Sequence, residues 1–550
     1  MRISGREQFK KYRNAAAAEC SNGIFVGRCA GGICEWKGIP YAKSPVGRRR
    51  WKAPEPAQKS EGMYTAFFYG PSPIQTRWPS ETASAYRQSE DCLYLNVWAA
   101  KGAKNCPVMV FFHGGSYGWG GTSDTLYDGK NMISAHPDVV LVTVGYRTGI
   151  MGFIDLSEVP GGEEYACSGN LGLLDMVESL RYIKENIASF GGDPDNVTVF
   201  GESAGAGAVS LLPLMDGTKG LFSKVIAESG SIALTYSKSE CRRLTRMLLK
   251  ESGAATMDGL LALTEDRLKD LNKKLNDYNN FPERDGVILP ENLYKAYAEG
   301  KASHVKMIIG TNADEARYWI REMGYYFPLV NGKLLYTLGL PVMFETNMKN
   351  ASEDDKKRVR AFMRRQKGRP VWKITEFYNE MLFRLPAVFQ AEAISRTGGE
   401  AYMYYWTYPC AIGDLGACHA VELAYVFRNT GETKYTGDNV SEELSGDVCS
   451  MWTQFAKTGD PSIPGKEWPK YGAASRTTMI LGDEIKTEDA PKDGARKLLK
   501  PLLKLNFNGC YTNISWKVPS LWVMLTAIIG GTVAILAGGA ALFGKLFGKD

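Results

Sequence analysis

The sequence predicts an α/β fold: a mostly parallel central sheet with helices on both faces, followed by an apolar C-terminal helix. Three observations carry that expectation. Short β-branched and aromatic runs at 108–112, 139–144, 196–200 and 305–309 read as buried strands. Helical stretches lie between them. The clearest is 171–190, where Leu174, Val177, Leu180, Ile183 and Ile187 recur at helical spacing until Gly191 and Gly192 stop it. Strands alternating with helices imply parallel pairing and two covered faces. Finally, residues 521–544 form 24 positions without a charge, set apart from everything before them.

Taken in chain order, the first functional element follows the strand at 108–112. His113-Gly114-Gly115-Ser116 opens a glycine-rich loop that continues through Trp119-Gly120-Gly121 and cannot begin a helix. The bare backbone N–H groups of Gly114, Gly115 and Ser116 can point at a developing oxyanion. Gly114-Gly115-Ser116-Tyr117-Gly118 fits G-x-S-x-G, yet Ser116 lies in a loop and not at a strand-to-helix turn.

The second match is different. Gly201-Glu202-Ser203-Ala204-Gly205 follows the strand at 196–200 and precedes the small residues Ala206, Gly207 and Ala208, which suit a helix packed close to a sheet. Strand, sharp turn with a serine at its tip, then helix is the nucleophile elbow of an α/β-hydrolase. A serine hydroxyl needs a base, and the chain has four histidines. His113 belongs to the loop, and His136 and His304 stand just before strands. Only His419 lies in a loop C-terminal to every core strand. The chain order Ser, acid, His therefore selects His419. The acid must come from a strand end between the two, and 305–309 runs into Asp314 and Glu315. Spacing alone leaves both open.

The chain resembles the type-B carboxylesterase/lipase family, which includes the cholinesterases and liver carboxylesterases. The resemblance runs from about residue 23 to about residue 505. It rests on Gly38-Ile39-Pro40-Tyr41-Ala42, Glu90-Asp91-Cys92-Leu93-Tyr94-Leu95-Asn96, Gly169-Asn170-Leu171-Gly172-Leu173, Phe190-Gly191-Gly192-Asp193-Pro194, Ser229-Gly230-Ser231, Gly459-Asp460-Pro461-Ser462 and Trp468-Pro469. It implies an α/β-hydrolase fold in which Ser203, Glu315 and His419 form the triad. The N–H groups of Gly115, Ser116 and Ala204 would be the oxyanion donors, and Glu202 and Ser229 would stand just behind. Three positions depart from the family: Ser116, Ala316 and Ala420 stand where glycines are usual.

The function so implied is hydrolysis of small-molecule carboxylic esters through an acyl-enzyme, with no metal or organic cofactor. A lipase or amidase on the same site is the nearer alternative. A binding or adhesion protein of the same fold is the alternative from another class. Relatives that have lost activity lack the nucleophile, whereas this chain keeps it. Tyr117, Trp119, Tyr318 and Trp319 suggest an aromatic-walled pocket.

Composition agrees with one large enzyme domain over 1–515, a linker at 516–520 and a span at 521–544. The formal charge of +6 is mild and forms no stripe for nucleic acid. The uncharged segment is long enough to cross a bilayer. Arg496, Lys497, Lys500, Lys504 and Lys517 before it read as a solvated helix face that could also meet anionic lipid. Gly530, Ala534 and Gly538 offer a small-residue face for self-association. No secretory signal is visible at the start of the sequence. The eleven cysteines suggest neither a metal site nor a small disulfide framework. By resemblance, Cys92 and Cys241 have lost the partners that secreted relatives keep. A tail-anchored protein with a cytoplasmic catalytic domain is the resulting expectation.

Overall fold

The β-branched runs pair into one 14-stranded sheet. A computed structural model describes residues 2–3, 15–75, 87–275, 280–320, 344, 348, 351–438 and 440–505. Its strands are β1 (Arg2–Ile3), β2 (Ala15–Cys20), β3 (Gly23–Ala30), β4 (Ile33–Pro40), β5 (Met63–Thr65), β6 (Tyr94–Ala100), β7 (Cys106–Phe112), β8 (Val140–Val144), β9 (Gly192–Glu202), β10 (Lys224–Glu228), β11 (Tyr236–Ser237), β12 (Glu283–Arg284), β13 (Lys306–Asn312), β14 (Ala401–Trp406), β15 (Thr477–Leu481) and β16 (Lys486–Asp489). The sheet order is β1-β5-β3-β4-β6-β8-β7-β9-β10-β13-β14-β15-β16, with β2 against β3. β11 and β12 pair separately.

From β8 through β15 every neighbour is parallel. The expectation of a mostly parallel sheet holds for that centre and needs correction for the whole, because β2, β4, β6 and β16 join antiparallel. The reason is local. Gly31 and Gly32, with φ of 60° and 83°, close a tight turn between β3 and β4 that only an antiparallel pair can use. The same turn sets Cys29 opposite Cys34, and they form a disulfide. That bridge corrects the reading of the cysteines, since it depends on hairpin register and not on any framework spacing. Cys92 and Cys241 are free and buried.

Side chains of β7 alternate between the two faces, as the two-residue period of a strand requires. Val108, Val110 and Phe112 join one core with Leu173, Met176, Val177, Leu180 and Ile183 of the helix Leu171–Asn186. Met109 and Phe111 join the other with Trp452 and Phe455 of the helix Glu442–Thr458. The first helix ends through a short 3-10 turn at Gly191, whose φ of 90° explains why a glycine stops it.

Among the described residues no helix is long and apolar enough to cross a membrane. The span expected at 521–544, its small-residue face and the linker at 516–520 lie outside the described residues.

A buried ion pair ties the helix Leu171–Asn186 to the segment after β8. Arg147 donates from Nε and Nη2 to the two oxygens of Asp175 at 2.8 and 2.6 Å, and its backbone N–H donates to the same carboxylate at 3.0 Å. Asp175→Asn leaves the Arg147 charge buried without its partner. The expected loss is about 3–5 kcal/mol of stability, measured by chemical denaturation.

Candidate active site

Ser203 stands between β9 and the helix Ala204–Leu211 with φ 57° and ψ −118°, a backbone conformation that L-residues seldom adopt. The surroundings impose it. A Cβ on Gly205 would lie 1.9 Å from the Phe112 carbonyl oxygen, and one on Gly230 2.0 Å from that of Ser203. The Ser203 N–H donates to the Glu228 carbonyl at 2.8 Å, and the Ser203 carbonyl accepts from Gly207 at 2.9 Å. The turn is thus wedged between β7, β10 and its own helix, and the side chain remains partly exposed.

The loop after β7 lies directly against this turn. A Cβ on Gly114 would come within 3.0 Å of Ser203 Cβ and 2.7 Å of Glu202 Oε2. Gly115, Ser116 and Tyr117 have φ of 101°, 50° and 57°, three consecutive residues with positive φ. Gly115 and Ser116 are partly exposed, whereas Gly114 and Ala204 are buried. No helix follows Ser116 directly. His113 is buried and stacks on Tyr146 at 4.5 Å. Burial pushes its imidazole down to about 4, so it is neutral and structural.

Glu315 and Asp314, which spacing leaves unresolved, point to different places. Glu315 is fully buried: Oε1 accepts from the Asn312 N–H at 2.7 Å, and Oε2 meets His419 Nδ1 at 2.6 Å. Asp314 turns outward, accepting from the Ala417 N–H at 3.1 Å and pairing with Arg317 at 2.8 Å. It pins the loop that carries His419 without touching the imidazole. Ala420, one residue on, has φ 65°, so the missing glycine is felt as backbone strain.

The second imidazole nitrogen, Nε2, lies 3.1 Å from Glu202 Oε1. Desolvation lowers the basicity of His419, but the charges of Glu202 and then Glu315 outweigh it and hold the imidazole at about 9. Ser229 donates to Glu422 Oε1 at 3.1 Å, and Asn312 Nδ2 donates to Oε2 at 2.5 Å. Burial and then the Glu315 charge push Glu422 up to about 7. The sequence reading gives Glu422 no role, although it stands three residues after His419.

Aromatic rings flank the imidazole. Trp319 lies nearly parallel to it at 6.1 Å, Tyr318 at 5.7 Å and Phe383 at 5.0 Å. Tyr117 and Trp119, expected as wall candidates, are buried. Phe383, itself buried, is the ring beside the imidazole that sequence reasoning misses. It sits in a π-helical turn, Asn379–Arg384, ahead of Pro386, which has no N–H to give to the carbonyl of Leu382. Asn379 accepts from the Ala316 N–H at 2.8 Å and donates to the Ala313 carbonyl at 3.0 Å, clamping the loop of Glu315.

The profile of the carboxylesterase family matches residues 18–498. The chain belongs to the carboxylesterase family. It is 38% identical to the para-nitrobenzyl esterase of Bacillus subtilis (strain 168), a match covering 87% of this chain and 97% of that one. With carboxylesterase 1C of Rattus norvegicus it shares 33% identity, over 80% of this chain and 84% of the relative. Among solved structures, Geobacillus stearothermophilus carboxylesterase EST55 superposes with a TM-score of 0.77 at 32% identity, covering 88% of this chain and all of the other. The family and these esterases support ester hydrolysis, on an α/β-hydrolase fold with a mixed sheet.

Two measurements probe the geometry. With Glu315 setting the tautomer of His419, Glu315→Gln is expected to lower kcat/KM by about 10⁴-fold. Asp314→Asn, which touches no reacting group, lowers it by less than about tenfold. Second, kcat/KM rises with pH toward about 9 as His419 loses its proton. In Glu202→Gln that acid limb moves to lower pH, because one of the two charges holding the proton is gone.

Proposed function

We propose that the chain is a serine carboxylesterase with Ser203 as nucleophile, His419 as base and Glu315 as the acid that orients it. The observation that carries this reading is the 2.6 Å bond between Glu315 Oε2 and His419 Nδ1, with Nε2 of the same ring 3.1 Å from Glu202, the neighbour of Ser203 in its left-handed turn. Nδ1–H is thereby fixed as donor, which leaves Nε2 to accept a proton. Nε2 rests beside Glu202, the residue before Ser203, and in this reading it takes the Ser203 Oγ proton when substrate is bound.

Ser203 Oγ attacks the ester carbonyl carbon as its proton passes to His419 Nε2. The carbonyl π electrons move to oxygen, where the N–H groups of Gly115, Ser116 and Ala204 meet the charge, with Gly114 bringing the loop into place. Each such donor is worth about 3–4 kcal/mol. Collapse breaks the bond to the leaving alkoxide, which takes the proton from Nε2. Water then repeats the sequence on the acyl-enzyme and frees Ser203. Trp319, Phe383 and Tyr318 favour esters that carry an apolar or aromatic group, as the name of the para-nitrobenzyl relative also suggests.

Ser203→Ala abolishes turnover of an aryl acetate, whereas Ser116→Ala retains it, and a fluorophosphonate probe labels Ser203 alone. Labelling at Ser116 would reassign the nucleophile.

We also propose that 521–544 anchors the enzyme domain, residues 1–515, to a membrane, with room for self-association through the Gly530 face. The support is the uncharged stretch itself. A chain stopped at Pro519 is expected in the soluble fraction with its esterase activity intact. The full chain is expected to pellet with membranes and resist carbonate. Equal carbonate extraction of both forms removes the anchor from this account.

A further inference from the structure

Behind the elbow the sheet register sets up an unusual row. Glu202 of β9 pairs with Glu228 of β10, Glu228 with Gly310 of β13, and Gly310 with Tyr404 of β14. Gly310 has no side chain because the Tyr404 ring lies across it: a Cβ there would be 2.1 Å from the ring. The row therefore places two glutamates on adjacent strands with a tyrosine reaching toward them.

Glu228 is fully buried. Its Oε1 accepts from Trp452 Nε1 at 3.1 Å, and its Oε2 has no hydrogen-bond partner among the described residues. The Tyr404 hydroxyl, also buried, has none there either. The charges that act on Glu228 are those of Glu422 and Glu202, both negative. The nearby basic group, His419, is already bonded to Glu315 and beside Glu202. A carboxylate so placed would be an uncompensated buried charge next to two like charges.

We propose that Glu228 carries a proton on Oε2 through the neutral range and acts as a neutral positioning residue beneath the elbow. Oε1 is then the carbonyl oxygen that receives Trp452. Burial first, then Glu422 and Glu202, push the Glu228 carboxyl well above the usual range, against the pull of Trp452. The backbone carbonyl of this same residue holds the Ser203 N–H, so one residue joins the strained serine to the helix Glu442–Thr458. With Glu228 neutral, the carboxylates that raise the basicity of His419 are Glu202, Glu315 and Glu422.

The kinetic readout rests on the esterase reading above, and two others do not. Glu228→Gln keeps size, neutrality and the bond to Trp452, so the acid-limb midpoint of kcat/KM stays where it is in the wild type. A downward shift like that of Glu202→Gln overturns the proposal. Glu228→Leu, neutral but without the hydrogen bond, gives the same midpoint with a lower kcat and serves if the first variant folds poorly.

Independently of activity, Glu228 would bind a proton when folded and none when unfolded at pH 6–8. Wild-type stability then falls with rising pH relative to Glu228→Gln, by about tenfold in the unfolding equilibrium per pH unit. Parallel stability–pH curves overturn the proposal. Infrared spectra of the intact wild type at pH 8 should contain a protonated-carboxyl band that Glu228→Gln loses. Absence of that band refutes the proposal whatever the variants do, and a protein without esterase activity that keeps it leaves the proposal standing.

Discussion

The left-handed backbone of Ser203 is the constraint around which the rest of the site is arranged. Such a conformation costs of order 1–3 kcal/mol and persists only where its surroundings over-determine it. Here Gly205 lies against the Phe112 carbonyl, Gly230 against the Ser203 carbonyl, and the Glu228 carbonyl holds the serine N–H. These contacts come from β7, β10 and the following helix, so the elbow exists only when the parallel centre of the sheet is complete. The loop of Gly114–Ser116 leaves the end of β7 and touches the same turn. Its position is set by the strand whose carbonyl packs against the serine turn, which fixes loop and turn relative to each other without a separate device.

Electrostatics supplies the second layer. Glu202, Glu315 and Glu422 are buried and act on one imidazole. In water-poor surroundings each charge matters far more than on a surface. The local answer is division of labour. Glu315 bonds Nδ1 directly, Glu202 stands at Nε2, and Glu422 is occupied by Ser229 and Asn312. Asn312 serves twice, its N–H on Glu315 and its side chain on Glu422 and the Cys418 carbonyl, so the end of β13 organises acid and base together.

Much of this is legible from residues alone, and the limits have physical causes. The helix Leu171–Asn186 announces itself by spacing and a glycine stop, and the Gly201–Gly205 turn by strand, tip and small residues. The antiparallel limb does not. β2 is four alanines before Glu19 and Cys20, and β16 is exposed along its length, so neither carries a burial pattern to read. Asp314 and Glu315 are neighbours of like charge, and only the fold decides which turns inward. Glu228 and Glu422 are silent because a buried carboxylate and a solvated one have the same letter. Phe383 lies in a helix whose π turn arises from Pro386 and the clamp at Asn379. That geometry belongs to the packed state.

The clamp at Asn379 has an evolutionary corollary. The residue whose amide grips the loop of Glu315 also begins the π-helical turn that carries Phe383, so the ring beside the imidazole and its carboxylate partner are joined through one residue. Enlarging the cleft by altering that turn would disturb the histidine's partner at the same time. New ester preferences are then reached most cheaply at side-chain tips such as Phe383 itself, with the turn's backbone left alone. A lineage exploring substrates on this scaffold would therefore diversify ring by ring while keeping the unusual helix turn.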